Sequence, residues 1–384
     1  MRKCFLIFIF GLIALISCQN SKESASDSGL VFLNSQKFEL DSLAVPSLLF
    51  NQVSKIENKE YLFNLNQLNN SLDLYDINSG ILSKRISFEN AGPNAIKGIS
   101  GFYVHNLDSI FLFPKMSFVK TTLINIDGET KNIYSPQIPL ENEIPRVLNH
   151  ASTNYLPSFY YNGKVFFDQL TLKNTTKEGS INSDFRPLGY LDLESDSILL
   201  ENNSGYPQFY LNKKYPIYVS VHSRILNNNN KLVYSWGVLD SLIVRDLDWG
   251  LERMVSSRSR FQDGDFPQTP NAGLVQELDA VISSGYYGRV VFDPFQKVYY
   301  RFYHIGRLYN PDQDNSITSI FKNDFSILVY DENLELLHES KFDGEVYDFY
   351  QAFVGENGLY LPRLNPFLAD LSEDFIVCDI FRLK

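Results

Sequence analysis

The residues best suited to hold a charged or sugar-like partner fall in two stretches. Lys213, Lys214 and Tyr215 form one; Arg253, Arg258 and Arg260, followed after an insert by Tyr286, Tyr287 and Arg289, form the other. A guanidinium beside an aromatic face suits a carboxylate or a sugar ring, because it joins fixed charge to stacking surface. Arg258, Arg260, Lys213, Tyr286 and Tyr287 are therefore the candidate ligand-binding residues. The competing expectation is that the arginines pair with the chain's surplus acids and the tyrosines pack their own loops down. No HExxH, GxSxG, P-loop or GxGxxG spacing occurs, so no catalytic residue is assigned. His105, His150, His222, His304 and His338 are scattered at no ligand spacing. Asp312-Gln313-Asp314-Asn315 lacks the glycine and distal glutamate of a calcium loop. No metal ligand and no cofactor is expected.

Cys18 offers a different chemistry, the acylation of a thiol. Arg2 and Lys3 precede an apolar run from Cys4 to Ile16, 13 residues long. That is the length of a signal-peptide core and too short to span a bilayer as a helix. The run ends in Leu15-Ile16-Ser17-Cys18, which resembles the lipobox of bacterial lipoproteins. The resemblance implies cleavage before Cys18, lipid on that cysteine and a bilayer as partner, with two or more chains giving a stable anchor. Residues 1–17 then form the signal peptide. Residues 18–29, polar and small without apolar periodicity, form a flexible tether, and residues 30–384 a single globular unit.

Loss of Arg2 and Lys3 leaves 32 of the 34 Lys+Arg against 45 Asp+Glu, a net charge of −13. An acidic surface repels phosphate backbones, which argues against a nucleic-acid partner. After Cys18 only Cys378 remains, so the mature chain can form no internal disulfide and must rest on its hydrophobic core. With 23 Tyr and 30 Phe, frequent Asn and only 3 Met, the composition leans to strands joined by turns.

The elements that must position these residues repeat. SLDLYDINSGILSKRIS at 71–87, SLIVRDLDWGLERMVS at 241–256 and SILVYDENLELLHESKF at 326–342 share one pattern: apolar strand, Asp, short turn, second strand. Weaker copies begin at 123, 188 and 375. Asp76, Asp127, Asp192, Asp246, Asp331 and Asp379 mark six copies, and each is expected to end a third strand and bind the turn backbone. A second hairpin precedes every copy, turning at Glu57-Asn58, Asn106 to Asp108, Asn162-Gly163, Asn227 to Asn230, Asp293-Pro294 and Glu356 to Gly358. Two hairpins per unit, at a spacing of about 40 to 60 residues, predict an all-β, six-bladed β-propeller with four antiparallel strands per blade. The last copy ends five residues past Asp379, leaving no room for a fourth strand. Val31 to Leu40 has no hairpin partner of its own, so the N-terminal strand is expected to close the ring.

The segment NAGPNAIKGISGFYVHNLDSIFLF, with the turn at Asn125-Ile126-Asp127-Gly128, resembles blades of six-bladed, TolB-like propeller lipoproteins of Bacteroidota. The run VVFDPFQKVYYRFY is similar to a family of these of unknown function. The resemblance spans the mature chain and implies fold and compartment, a lipid-anchored place in the cell envelope, without implying an activity. Asp41-Ser42, Asp108-Ser109, Asp196-Ser197 and Asp240-Ser241, each before an aliphatic residue, resemble the O-glycosylation motif of exported Bacteroidota proteins. That makes Ser42, Ser109, Ser197 and Ser241 candidate acceptors, although Asp-Ser before a strand is also ordinary turn grammar.

Turns within the hairpins are short, whereas Tyr134 to Pro157, Glu201 to Pro216, Ser256 to Gly288, Gln169 to Pro187 and Ile305 to Asp324 are long and emerge together on one end of the ring. Long loops on a rigid scaffold concentrate binding residues, so the axis mouth beneath them is where a pocket is expected. Leu274, Val275, Leu278, Val281 and Ile282 predict an amphipathic helix within 271–284. The favoured expectation is a non-catalytic propeller binding a glycan, peptide or envelope protein on the long-loop face. The alternative is an axial hydrolase or lyase, such as a calcium-dependent lactonase-like enzyme, which would need several carboxylates converging on the axis.

Overall fold

The computed structural model describes residues 29–384 apart from 93–94, 97, 116–119, 137–139, 142–143, 146–149, 172, 179–180, 182 and 248–251. Cys18 and the signal segment lie outside the described residues, as does all of the tether but Gly29. Runs rich in aromatic and β-branched residues, punctuated by Asn, Asp and Gly, fold as strands and tight turns. The chain opens with β1 (Leu30–Glu39). Blade 1 follows as β2 (Asn51–Ile56), β3 (Lys59–Asn66), β4 (Ser71–Asp76) and β5 (Leu82–Ser87). Blade 2 is β6 (Ile99–Asn106), β7 (Ser109–Pro114), β8 (Thr121–Ile124) and β9 (Thr130–Tyr134), after which β10 (Leu140–Glu141) and β11 (Ile144–Pro145) pair as a minimal hairpin. Blade 3 comprises β12 (His150–Ala151), β13 (Phe159–Tyr161), β14 (Lys164–Gln169), β15 (Leu188–Asp192) and β16 (Ser197–Leu200). The short helix α1 (Ile217–Ser220) leads into blade 4, made of β17 (His222–Leu226), β18 (Lys231–Trp236), β19 (Ser241–Asp246) and β20 (Glu252–Ser256). Helix α2 (Leu274–Ser283) precedes blade 5, β21 (Tyr286–Asp293), β22 (Val298–His304), β23 (Phe325–Tyr330) and β24 (Leu336–Phe342). Blade 6 contains β25 (Phe353–Gly355), β26 (Gly358–Pro362) and β27 (Phe375–Leu383).

The ring is a six-bladed propeller of antiparallel sheets, and its closure follows the expectation. Blade 6 has the order β1-β27-β26-β25, so the N-terminal strand supplies the missing outer strand. β1 runs along β27 from Leu30 opposite Leu383 to Glu39 opposite Phe375. The first-hairpin turns match the sequence reading. Glu57 and Asn58 in blade 1, and Asn162 and Gly163 in blade 3, all take positive φ, the left-handed pair that a two-residue hairpin turn requires.

Alternation along each strand gives a blade two apolar faces, and the core divides accordingly. Among the described residues six clusters fill the six inter-blade spaces. In β3, Leu62 packs with Phe353 and Tyr360 of blade 6, while its neighbour Phe63 packs with Phe102 and Leu112 of blade 2.

The repeated aspartates divide. Asp76, Asp192 and Asp331 each accept two backbone N–H groups from their own turns, as expected. In blade 2 that work falls to Asn125, which accepts from the Asp127 and Glu129 N–H groups, while Asp127 faces Lys84 at 2.6 Å. Asp246 likewise faces Lys231 at 3.2 Å. Asp379 is no turn residue at all. It lies inside β27, 1% exposed, because pairing with β1 carries that strand on to Leu383.

The long connections form a packed cap over blades 3 and 4. Leu278, Val281 and Ile282 of α2 are buried with Phe266, Tyr210, Tyr215, Val219 and Ile320 against Trp236 of β18. The expected helix is present, but Leu274 and Val275, at its start, remain exposed.

Candidate functional site

The structure does not bring the five predicted ligand residues onto one open surface. Tyr286 and Tyr287 are both 2% exposed. Tyr286 stacks on His304 at 4.4 Å. The Tyr287 hydroxyl donates to Gln262 at 2.6 Å and accepts from the Ser259 N–H at 2.8 Å, and its ring carries the Arg301 guanidinium at 3.7 Å. Arg258 is half-exposed and lies 3.8 Å from Asp240. The Arg260 N–H donates to Glu339 at 2.9 Å. These two arginines line a groove of about 550 Å³ with Gln262 and His338, set against β24, the outer strand of blade 5 and hence at the rim. Lys213 lies half-buried in the cap, its N–H bound to the Tyr210 carbonyl.

The axis is built differently from the expectation. The innermost strand of blade 3 is interrupted: β12 and β13 both pair with β14, and residues 152–158 between them leave the sheet. This excursion turns tightly through a Thr153–Leu156 bridge and crosses the axis beneath the long loops. Asn154 donates to the carbonyls of Leu48 and Ala352, bonding blade 3 to the ring-closing side. The Tyr155 carbonyl accepts from Ser223 at 2.9 Å, and the Pro157 carbonyl from Arg224 at 2.9 Å. The mouth at the long-loop end is therefore plugged.

Below the plug lies an axial cavity of about 300 Å³. Buried Asn51, Asn154 and Arg289 line its closed end. Exposed Lys55 and Phe295, together with Pro294, line it beside the first-hairpin turns of blades 1 and 5, so it opens at the tight-turn end. Its walls include Val53, Val291, Phe292, Phe353 and Val354. Glu60 is the carboxylate on this wall. Burial pushes its carboxyl up from the usual range, opposed by the Glu356 N–H it accepts at 2.8 Å.

Arg289 is one of three guanidiniums buried among the described residues. Arg224 forms an ion pair with Asp168, which also accepts from His222 at 2.9 Å. Burial alone would raise the Asp168 carboxyl, but Arg224 and His222 outweigh it and hold it below the ordinary value. Arg301 donates to Ser235 at 2.9 Å, to the Ser257 hydroxyl at 2.7 Å and to the Leu239 carbonyl at 2.7 Å. Both therefore act as fasteners between neighbouring blades. Arg289 donates through Nη1 to the carbonyls of Tyr350 and Ala352, yet its Nε has no partner among the described residues. Burial pushes this guanidinium down to about 9, partly offset by Tyr155 and Asp348.

A family model described as a domain of unknown function, DUF4221, matches residues 30–341. The chain belongs to the DUF4221 family. Its fold is similar to that of a DUF4221 member from Bacteroides vulgatus, with a TM-score of 0.80 and 23% identity over 93% of this chain and 98% of that one. A Bacteroides fragilis protein described provisionally as exported is a more distant likeness, with a TM-score of 0.53 and 13% identity over 94% of this chain and 96% of that one. A search of curated proteins found no match.

Other predicted positions in this DUF4221 chain sit as follows. Ser42 is exposed, and Ser109, Ser197 and Ser241 are half-buried at the first residues of β7, β16 and β19. Asp314, in the loop considered for calcium, is taken by Arg307 in a two-point pair and by Lys322 at 3.5 Å. Its hydrogen bonds to Arg307 hold it down at about 2. Among the described residues no three His, Cys, Asp or Glu side chains converge as a metal site would require. No described helix is long and apolar enough to cross a membrane. Arg289 stands out in the sequence as a charged residue within the otherwise apolar run YYGRVVF, a signal separate from the neighbouring tyrosines.

Proposed function

We propose that this DUF4221 protein is a lipoprotein of the cell envelope, of Bacteroidota type and anchored through acylated Cys18, whose propeller binds a partner without turning it over. The partner is a small organic ligand or the end of a glycan or peptide chain. The observation that carries the binding reading is the axial cavity: blind at the plug, open among tight turns and lined by apolar walls around a few polar groups, the usual composition of a ligand site. The address rests on the signal-like segment and the lipobox pattern at Cys18, supported by the export ascribed to the Bacteroides fragilis neighbour.

Two experiments test it. Labelling with a fatty-acid analogue in cells should mark the wild-type chain and not Cys18→Ala; labelling that survives the substitution removes the anchor. For the site, the full chain purified from envelope and then denatured should release a molecule, detectable by mass spectrometry, that is missing from Val354→Trp, where the indole fills the cavity. Equal recovery from both proteins places the ligand elsewhere.

A further inference from the structure

We infer that the axial cavity takes a carboxylate borne on an apolar body, with the carboxylate at Arg289 and the body along the walls toward Lys55. This rests on the reading of the cavity as the ligand site and specifies what fills it.

Arg224, Arg289 and Arg301 are the guanidiniums buried among the described residues. A cation removed from water is costly unless a counter-ion or a full set of acceptors replaces the solvent. Arg224 has Asp168. Arg301 has hydroxyl and carbonyl acceptors together with the Tyr287 ring. Arg289, 5% exposed, has two backbone carbonyls, an unpartnered Nε and no ion pair among the described residues, and it lines the axial cavity. Its nearest acidic influence, Asp348, is already committed, accepting from the Tyr350 N–H at 3.0 Å and the Gln351 side chain at 2.7 Å. The guanidinium is thus held in place by two carbonyls, largely buried and without an ion-pair partner in contact among the described residues, with Asp348 acting on it only at a distance. A carboxylate in the cavity supplies a close counter-charge for this guanidinium.

The rest of the cavity selects the rest of the ligand. Val53, Val291, Phe292, Phe353 and Val354 present apolar wall between the closed end and the mouth. Lys55, 49% exposed at the mouth and only loosely associated with Glu356 at 4.0 Å, adds positive potential where an anion would approach. Glu60 also lies on this wall, where burial raises its carboxyl and the Glu356 N–H it accepts at 2.8 Å opposes that shift; Lys55 is the cation set beside it. A volume of about 300 Å³ admits a small aliphatic or aromatic acid, or the last residue or two of a peptide with a free carboxy terminus. The shared chemistry is one terminal carboxylate on an apolar stem.

Calorimetry on the full chain in detergent, near neutral pH, tests this with matched probes: hexanoate and 4-phenylbutyrate against their primary amides, and a short apolar peptide with a free against an amidated carboxy terminus. The acid of at least one pair should bind about tenfold or more tightly than its amide. Lys55→Gln should weaken the acid several-fold, and Val354→Trp should abolish binding. Arg289→Gln removes the pair directly, but it also unties blade 5 from blade 6; the acid-amide comparison keeps the test independent of its folding. A free-terminus peptide binding where the simple acids do not identifies a peptide as the source; the reverse identifies a small molecule. Acid and amide binding equally, both lost in Val354→Trp, would leave the cavity as a ligand site and overturn the carboxylate. Binding indifferent to Val354→Trp would overturn the cavity itself. Absence of binding by every acid and by the free-terminus peptide overturns the proposal.

Discussion

Ser35 in the first strand donates its hydroxyl to the Asp379 carboxylate in the last, 2.6 Å away and 344 positions along the chain. The same carboxylate accepts from Tyr347 at 2.7 Å and Arg363 at 2.9 Å, so ring closure is fastened by side chains as well as by the β1–β27 ladder. Phe38 of β1 sits edge-on to Tyr75 of blade 1 and Phe353 of blade 6, 6.0 Å from each ring. The closing strand thus belongs to the core of the joint.

A chain beginning near Ser42 should therefore be insoluble or melt far below one beginning near Ser28, because β27 is left as a bare edge. Phe38→Ala, within the full chain, should cost about 3–5 kcal/mol. Denaturant unfolding of the three proteins measures both effects. Equal midpoints for the two truncations would contradict the observed pairing.

This closure was legible in the sequence for a simple reason: the sixth repeat is one strand short and Val31 to Leu40 is one strand over. Strand alternation and turn chemistry are local, so the six units and their first turns could be read directly. Asp379 was misplaced because a strand's end depends on its partner, and β1 lies at the far end of the chain. The plug at 152–158 escaped reading for the same physical reason. Asn154, Tyr155 and Pro157 form an irregular segment whose bonds go to blades 1, 4 and 6, and no periodicity encodes them. Tyr286 and Tyr287 looked like contact residues by type, but strand pairing turned both into the protein.

Asp168 of blade 3 binds His222 and Arg224 of blade 4 with all three side chains removed from solvent. Asp168→Asn leaves the Arg224 charge buried without its counter-ion. A loss of about 3–5 kcal/mol is expected, the range for breaking a buried pair from one side. Urea unfolding reads it, and a loss below about 1 kcal/mol would show that the carboxylate is not the fastener between these blades.

Acid should act on this fold through two buried groups of opposite sign. Burial holds His304, stacked on Tyr286 and bonded to the Tyr350 hydroxyl at 2.8 Å, down at about 3, against an ordinary value of 6.5. As pH falls below 6.5 the unfolded chain takes up a proton that the native imidazole refuses, so this group lowers stability toward pH 3. Asp348 is pushed up to about 6 by burial, opposed by its bonds to Gln351 and Tyr350 and by nearby Arg289, against an ordinary 3.8. Here the native state holds the extra proton, so stability rises as pH falls from 6 toward 3.8. Melting temperatures between pH 7.5 and 5 should fall less steeply for His304→Gln than for the wild type, and more steeply for Asp348→Asn. Parallel curves for all three would mean that neither group titrates as its burial implies.

The rim arginines separate the two possible sites. Arg258 is 49% exposed on its side chain and lies 3.8 Å from Asp240, an arrangement worth about 0–1 kcal/mol at a surface. What Arg260 gives Glu339 is its backbone N–H, which substitution to alanine preserves. Arg258→Ala combined with Arg260→Ala should therefore leave the melting temperature almost unchanged. It should also leave binding of a carboxylate probe in the axial cavity untouched, since the rim groove borders β24, the outer strand of blade 5, and the cavity borders its inner strand β21. Calorimetry at low and high salt decides the matter. Weaker binding in the double variant, with a shallower salt dependence, would move the site to the rim and restore the long-loop face as the binding surface.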